Sequence, residues 1–244
     1  LDKSKGTGSK FTLVLSRPRH YRFMQSGKVD TEGRHTLFGQ AWQVMRDMPT
    51  AALRLHGKLF TANFAGERSH DDGGPYREAF AEFCQALQSD ALPLLVRVPN
   101  HSARNNTGSN RDCWMLSADA TSSVALSQLH FVGKLMGMAL RNNEYLSLRL
   151  APLVWRLIIG RSAIESDIRD IDAVTHKTLM RIGQDEELTE AAFDSELSGE
   201  MWVTTLATGR QVEVVPGGAS RPLTWAPRRE YASAALGVQM DQMR

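Results

Sequence analysis

Long apolar runs, paired cysteines and an excess of one charge are all missing from this 244-residue chain. No uninterrupted apolar stretch approaches the ~20 residues that a membrane-spanning helix needs, and no N-terminal segment has the apolar core of a signal peptide. Only two cysteines are present, Cys84 and Cys113, so a disulfide framework is excluded and a reducing, cytoplasmic setting is expected. Lys and Arg number 29 against 27 Asp and Glu, a formal charge of +2, which supplies no field for recruiting nucleic acid or anionic lipid. The seven histidines never fall at a His-x-x-x-His spacing, and no metal or cofactor is expected. Partners are then other proteins or small molecules.

What is present is a globular composition, 42% apolar, enough for one large domain or a domain with a small satellite. The first ten residues are polar and read as loose. "TLFGQAWQVM" sets Leu37, Ala41, Val44 and Met45 at helical spacing, and Pro49 closes the segment. "LFTANF" alternates as a strand ending at Phe64, and "PYREAFAEFCQALQ" follows with Phe80, Phe83, Cys84 and Leu87 on one helical face. "LPLLVRV" reads as a buried strand, and the polar "NHSARNNTGSNRD" as the segment most prone to disorder. A long helix over "SSVALSQLHFVGKLMGMALRNN" places Leu129, Val132, Leu135, Met136 and Ala139 on its apolar side. Gly133 and Gly137 are expected there to admit a neighbouring backbone, and His130 to be a packing residue. "APLVWRLIIG" is bracketed by Pro152 and Gly160 as helices are. Beyond residue 165 charge density rises, "MWVTTLATGRQVEVV" reads as two strands joined at Thr208-Gly209, and "APRREYASAALGVQM" supplies a closing helix.

The stretch "GERSHDDGGPYREAF", Gly66 to Phe80, has three candidate readings. A phosphate loop needs a Lys-Ser/Thr after its glycines; here Pro75 follows them and removes a donor. A calcium loop needs alternating oxygen ligands, and only the adjacent Asp71 and Asp72 are on offer. The stronger reading is a rigid strand-to-helix joint. In it Gly73 and Gly74 take backbone angles closed to other residues, Pro75 presets the first turn, and Glu67 pairs with Arg77.

Gly66-Glu67, Asp71, Gly73-Gly74 and Arg77-Glu78 also stand at the spacing of the "GE…D.GG..RE" signature of HECT-type ubiquitin-protein ligases. "LHFVGKLMGMAL" resembles that family's "F.G...GMA" helix, with Phe131, Gly133, Gly137, Met138 and Ala139 in place. "PLVWRLIIG" leading into "SDIRDIDAVTHKTLMRI" is similar to the segment where an acidic pair precedes a helix. Order and spacing agree from about residue 50 onward, and "HTLFGQA" resembles the HERC-type members.

The resemblance implies an α+β fold: a mostly helical N-terminal HECT lobe with short strands and hairpins and a small partner-binding subdomain. The expected organisation is a flexible lead-in over 1–35, a large subdomain over 36–164, a small subdomain over 165–218 that binds a ubiquitin-conjugating enzyme, and a helix over 219–244 returning to the large subdomain. HECT ligases take ubiquitin from the conjugating enzyme onto a cysteine of a C-terminal lobe, then pass it to a substrate lysine. That cysteine sits in a "TCFN"-like loop, which this chain lacks; the catalytic lobe is expected to be absent and the chain alone inactive. Cys84 reads as core, and Cys113 has no His spaced as its base. The docking helix implied by the resemblance is "AVTHKTLMRIG", where Thr175, Leu179 and Ile182 share one face. The alternative is that Leu179 and Ile182 pack the subdomain's own core. Two other functions stay open: an interaction scaffold that kept the lobe's shape, and an unrelated α+β hydrolase using Cys113 or the Asp71-Asp72 pair.

Overall fold

Short strands are interspersed among helices in the computed structural model, which describes residues 11–54, 57–67 and 74–243. In chain order they are β1 (Phe11–Leu15), α1 (Arg17–Gln25), α2 (Leu37–Met45), β2 (Phe60–Phe64), α3 (Gly74–Leu87), β3 (Leu95–Arg97), β4 (Trp114–Leu116), α4 (Ser123–Asn142), α5 (Pro152–Ile158), α6 (Glu165–Ile171), α7 (Ala173–Gln184), α8 (Glu190–Leu197), β5 (Val203–Thr205), β6 (Gln211–Glu213) and α9 (Arg228–Asp241). The class is α+β, mostly helical, and the strands form two-stranded sheets β1-β2, β3-β4 and β5-β6. Among the described residues no helix is long and apolar enough to cross a membrane. The chain divides into two compact units, one holding residues up to Leu95 together with Asp119–Leu148, the other Val96–Ala118 together with residues from Arg149 onward.

In the first unit the alternation of β1 buries Leu13 and Leu15, and the strand pairs in parallel with β2, Leu13 opposite Ala62 and Leu15 opposite Phe64. Ser16 caps α1 with its hydroxyl, and Pro18 occupies the first turn. Arg17 then binds the Glu67 and Glu78 carboxylates at 2.9 and 2.5 Å and lies 3.6 Å over the Phe64 ring. Residues 11–25 are thus an integral part of the unit, not the flexible lead-in expected over 1–35; residues 1–10 lie outside the described set. The Asp30 carboxylate accepts from the backbone N–H groups of Arg34, His35 and Thr36 and from the Thr36 hydroxyl. That arrangement sets Thr36 to cap α2 by accepting from the Gly39 N–H.

The helix after the glycine-rich joint, α3, buries Phe80, Phe83, Cys84 and Leu87 as its periodicity predicts, and also Tyr76 one turn earlier. The joint itself differs from the expectation. Glu67 pairs with Arg17, whereas Arg77 faces Glu144 at 3.5 Å. Gly74 has no positive φ, and a Cβ added there meets no described atom within 4 Å; among the described residues of the joint it is Gly66 that is left-handed, at φ 87°. Asp71, Asp72 and Gly73 lie outside the described residues. Helix α4 is capped by Ser122 and ends at Asn143, a left-handed residue with φ 53°. It buries Ala125, Gln128, Phe131, Leu135, Met138 and Ala139, so Leu129, Val132 and Met136 sit half-buried beside that face. Among the described residues Gly133 and Gly137 meet no neighbouring backbone, since an added Cβ finds nothing within 4 Å at either.

In the second unit the polar segment after β3 is ordered, contrary to the expectation of disorder. Asn100 is fully buried. Its amide donates to the Ser109 and Asp170 carbonyls and its oxygen accepts from the Ala173 N–H. Arg111 gathers the carbonyls of His101, Ala103 and Thr107. Apolar content is not needed when amide and guanidinium groups satisfy the backbone.

The acidic run is also structural. Asp167, 8% exposed, accepts from the Ile164 N–H and pairs with Arg156 at 3.0 Å. Asp172 caps α7 by accepting from the Thr175 N–H. Strands β5 and β6 are antiparallel, and Gly209 takes φ 83° in the turn between them. Helix α9 packs on α7, and together with α8 and Trp202 they enclose the unit's core of Leu179, Ile182, Leu188, Phe193, Leu223, Tyr231, Ala232 and Ala235. The closing helix therefore belongs with the helix before the hairpin. The boundary expected at residue 165 is replaced by one that places α5, α6 and α9 in the same unit.

Candidate docking groove

The exposed flank of α7 and the β5-β6 hairpin face each other across a cavity of about 280 Å³. Its walls include Val174, Thr175, Thr178, Val203, Thr205 and Gln211, and Leu179, Ile182, Thr204, Leu223 and Tyr231 reach it from below. Thr175, Leu179 and Ile182, grouped on one face by the sequence, thus line one groove. They do so unequally. Leu179 and Ile182 are 3% and 4% exposed and belong to the unit's core, whereas Thr175 is half-buried at the opening and Val174 is 51% exposed. The helix face serves folding at its inner edge and solvent at its outer edge.

The groove is held rigid from beneath. Tyr231 donates its hydroxyl to the Val203 carbonyl at 2.9 Å, and burial, then the Glu200 charge, raise its pKa and keep it the neutral donor. Gln239, 1% exposed, donates to the Thr204 hydroxyl and the Thr205 carbonyl. Trp202 is fully buried with the Arg221 guanidinium 3.5 Å over its ring. Gly218 is required beside it, because a Cβ there would stand 2.3 Å from the Trp202 carbonyl oxygen. The result is an apolar floor with a rim of threonine hydroxyls, Gln211 and Glu200. An apolar floor inside a polar rim is the general anatomy of a protein–protein interface. Val203, Gln211 and Leu223 join the groove through tertiary packing, and no local sequence signal places the hairpin beside α7.

Neither cysteine is among the residues that line the groove. Cys84 is 2% exposed, and burial pushes its thiol up to about 11. Cys113 is half-buried, and burial and the Asp112 charge raise its pKa, against a smaller opposing effect of Arg149. A raised pKa leaves little thiolate near neutrality. Among the described residues no group of three His, Cys, Asp or Glu side chains is placed to hold a metal. His130 is exposed on α4, not packed as expected.

A two-unit, mostly helical α+β module with an apolar groove on its second unit and two thiols of raised pKa is the class of protein these features define. The family model for the HECT-domain (ubiquitin-transferase) matches residues 81–243, and the chain belongs to that family. It is 32% identical over 218 residues to the E3 ubiquitin-protein ligase HERC2 of Homo sapiens, a match that covers 89% of this chain and 4% of that protein. It is 25% identical over 202 residues to the probable E3 ubiquitin-protein ligase HECTD4 of Homo sapiens, covering 76% of this chain and 5% of the relative. Against the E3 ubiquitin-protein ligase Smurf1 of Drosophila melanogaster the identity is 24% over 213 residues, 85% of this chain and 18% of the relative. The chain therefore spans a small fraction of the length of these relatives.

Proposed function

We propose that this chain acts as the N-terminal lobe of a HECT-type ubiquitin ligase. Its α7-hairpin groove docks a ubiquitin-charged conjugating enzyme, so that ubiquitin passes to a cysteine of a C-terminal lobe and then to a substrate lysine. The observation that carries the reading is the convergence of Thr175, Leu179 and Ile182 with Val203 and Leu223 on one groove. The raised pKa values of Cys84 and Cys113 support assigning the thioester chemistry to another cysteine. The hydroxyl-rich rim supports a modest affinity, because polar groups desolvated on docking must be repaired one by one.

Titration of the chain against a panel of conjugating enzymes tests this. The discriminating variant is Val174→Asp, because Val174 lines the groove yet is 51% exposed. It is expected to weaken binding by about 2 kcal/mol, the scale of an interface anchor, with an unchanged melting temperature. Absence of binding to every member of the panel, or binding indifferent to Val174→Asp, would leave the lobe as an interaction scaffold.

A further inference from the structure

A second cavity, of about 330 Å³, lies in the first unit between α4 and the short 3-10 turn at Ala52–Arg54. Its wall on α4 is a stripe in which His130 and Lys134 alternate with Gly133 and Gly137, followed by Met138 and Arg141. The two glycines are not demanded by the fold around them. Neither has a positive φ, and among the described residues no atom lies within 4 Å of a Cβ added at either position. Glycine inside a helix carries an entropic penalty, and two glycines facing open space leave a shallow floor that a group from outside can occupy.

The chemistry of the walls says what kind of occupant. Arg54, Lys134 and Arg141 bring three cations to the rim, and among the described residues no carboxylate lines the cavity. Among the described residues neither Arg54 nor Arg141 has an ion-pair partner. Lys134 is tethered by donating to the Arg46 carbonyl at 3.1 Å, which fixes its ammonium at the cavity and leaves two of its three donors for an occupant. Leu53 and Met138, both buried, give the floor an apolar part. A compact phosphate is a poor match. Phosphate sites draw on free backbone N–H groups or on cations converging on one point; here the N–H groups of Gly133 and Gly137 lie in the middle of a 20-residue helix, where the i−4 carbonyls use them, and Lys134 and Arg141 stand seven residues apart on that helix, about 10 Å of rise. Spread cations around an apolar floor fit carboxylates spaced along a peptide with an apolar residue between them.

We infer that this cavity is a docking site for an acidic peptide segment of a partner protein, an apolar side chain seated against Leu53 and Met138 and its flanking carboxylates held by Arg54, Lys134 and Arg141. The site is independent of the groove on α7 and does not require that a conjugating enzyme bind there.

The test is fluorescence anisotropy of the whole chain with a labelled peptide array in which one leucine is flanked on each side by two glutamates or two aspartates. Glutamine counterparts serve as the uncharged control. At least one acidic member should bind in a salt-sensitive manner and shift the Met138 methyl resonance. Arg54→Glu combined with Arg141→Glu should weaken that binding about tenfold or more, as removal of paired charges does at interfaces. Gly137→Leu, which fills the floor, should abolish it without loss of helicity. Failure of every acidic peptide to bind, equal affinity for the glutamine series, or unchanged affinity in the double variant overturns the inference. So does displacement by pyrophosphate as readily as by unlabelled peptide, which would make this a small-anion site, or self-association of the chain that competes with the peptide. Should Gly137→Leu disturb the helix, the double variant and the Met138 resonance decide the matter alone.

Discussion

The glycines of α7 and α4 look alike in sequence and do opposite things. Gly183 of α7 is forced by its neighbour: a Cβ there would stand 2.9 Å from the Cβ of Ala232 on α9, so glycine is what lets the two helices close on each other. At Gly133 and Gly137 of α4 an added Cβ would meet no described atom outside the helix's own backbone and chain neighbours within 4 Å. The first face is completed from inside the fold and the second is left for something outside it. The same contrast runs through the two cavities. The groove beside α7 has a floor of core residues, Leu179 and Ile182, whereas the α4 cavity has helix backbone bared by two glycines for part of its floor. Binding and folding share side chains in the first and are separable in the second.

The hardest blow to this comparison comes from Leu179→Ala. If Leu179 is a core residue that also reaches the groove, its truncation should cost about 2–5 kcal/mol of stability, the range for a buried leucine whose site does not collapse. Urea denaturation of the chain measures this, and a lowered melting temperature should accompany weaker binding to the conjugating enzyme. A variant that lost binding with full stability would show that Leu179 is surface and that the α7 floor is no more committed to folding than the α4 floor.

How much of this was legible beforehand follows from the range of the interactions. The local period placed α3, α4, α7 and α9 and grouped Thr175, Leu179 and Ile182, because these depend only on residues three or four apart. It set the buried face of α4 slightly askew. The stripe of larger apolar residues pointed to Leu129, Val132 and Met136, but the fold buries Gln128, Phe131 and Met138 and turns the glycines outward. Order over residues 99–111 was invisible, since it depends on Asn100 reaching Asp170 and Ala173, about 70 positions away. The Arg17 clasp on Glu67 and Glu78 is of the same kind, and pairing Glu67 with nearby Arg77 was the price of reasoning locally. The groove itself was half legible: one wall is a helix face, the other a hairpin that only tertiary packing brings there.

Gly183→Ala is a milder probe of the comparison. Alanine is the better helix former, so propensity alone predicts a gain, but the overlap with Ala232 forces α7 and α9 apart. Overpacking of a close helix pair costs about 1–3 kcal/mol, and the net expectation is a loss of about 1 kcal/mol after the propensity gain is set against it. A thermal melt of the chain reads the sign. A stabilised variant would mean that the α7-α9 contact yields easily and that Gly183 is no more constrained than the glycines of α4.

Gly137→Ala carries the smallest effect and the opposite sign. The position lies within α4, the backbone is helical, and the added methyl meets no described atom. Substitution therefore removes the conformational freedom that glycine gives the unfolded chain and introduces no clash, which should raise stability by about 0.5–1 kcal/mol. A fold indifferent to glycine at this site gains from losing it. The same methyl shallows the cavity floor, so the acidic peptide should bind less well to a protein that melts at a higher temperature. That pairing is what distinguishes a surface kept open for a ligand from one that merely tolerates glycine. If the variant gains stability and binds the peptide unchanged, the floor is not used. If it loses stability instead, Gly137 has a structural duty and the contrast with Gly183 disappears.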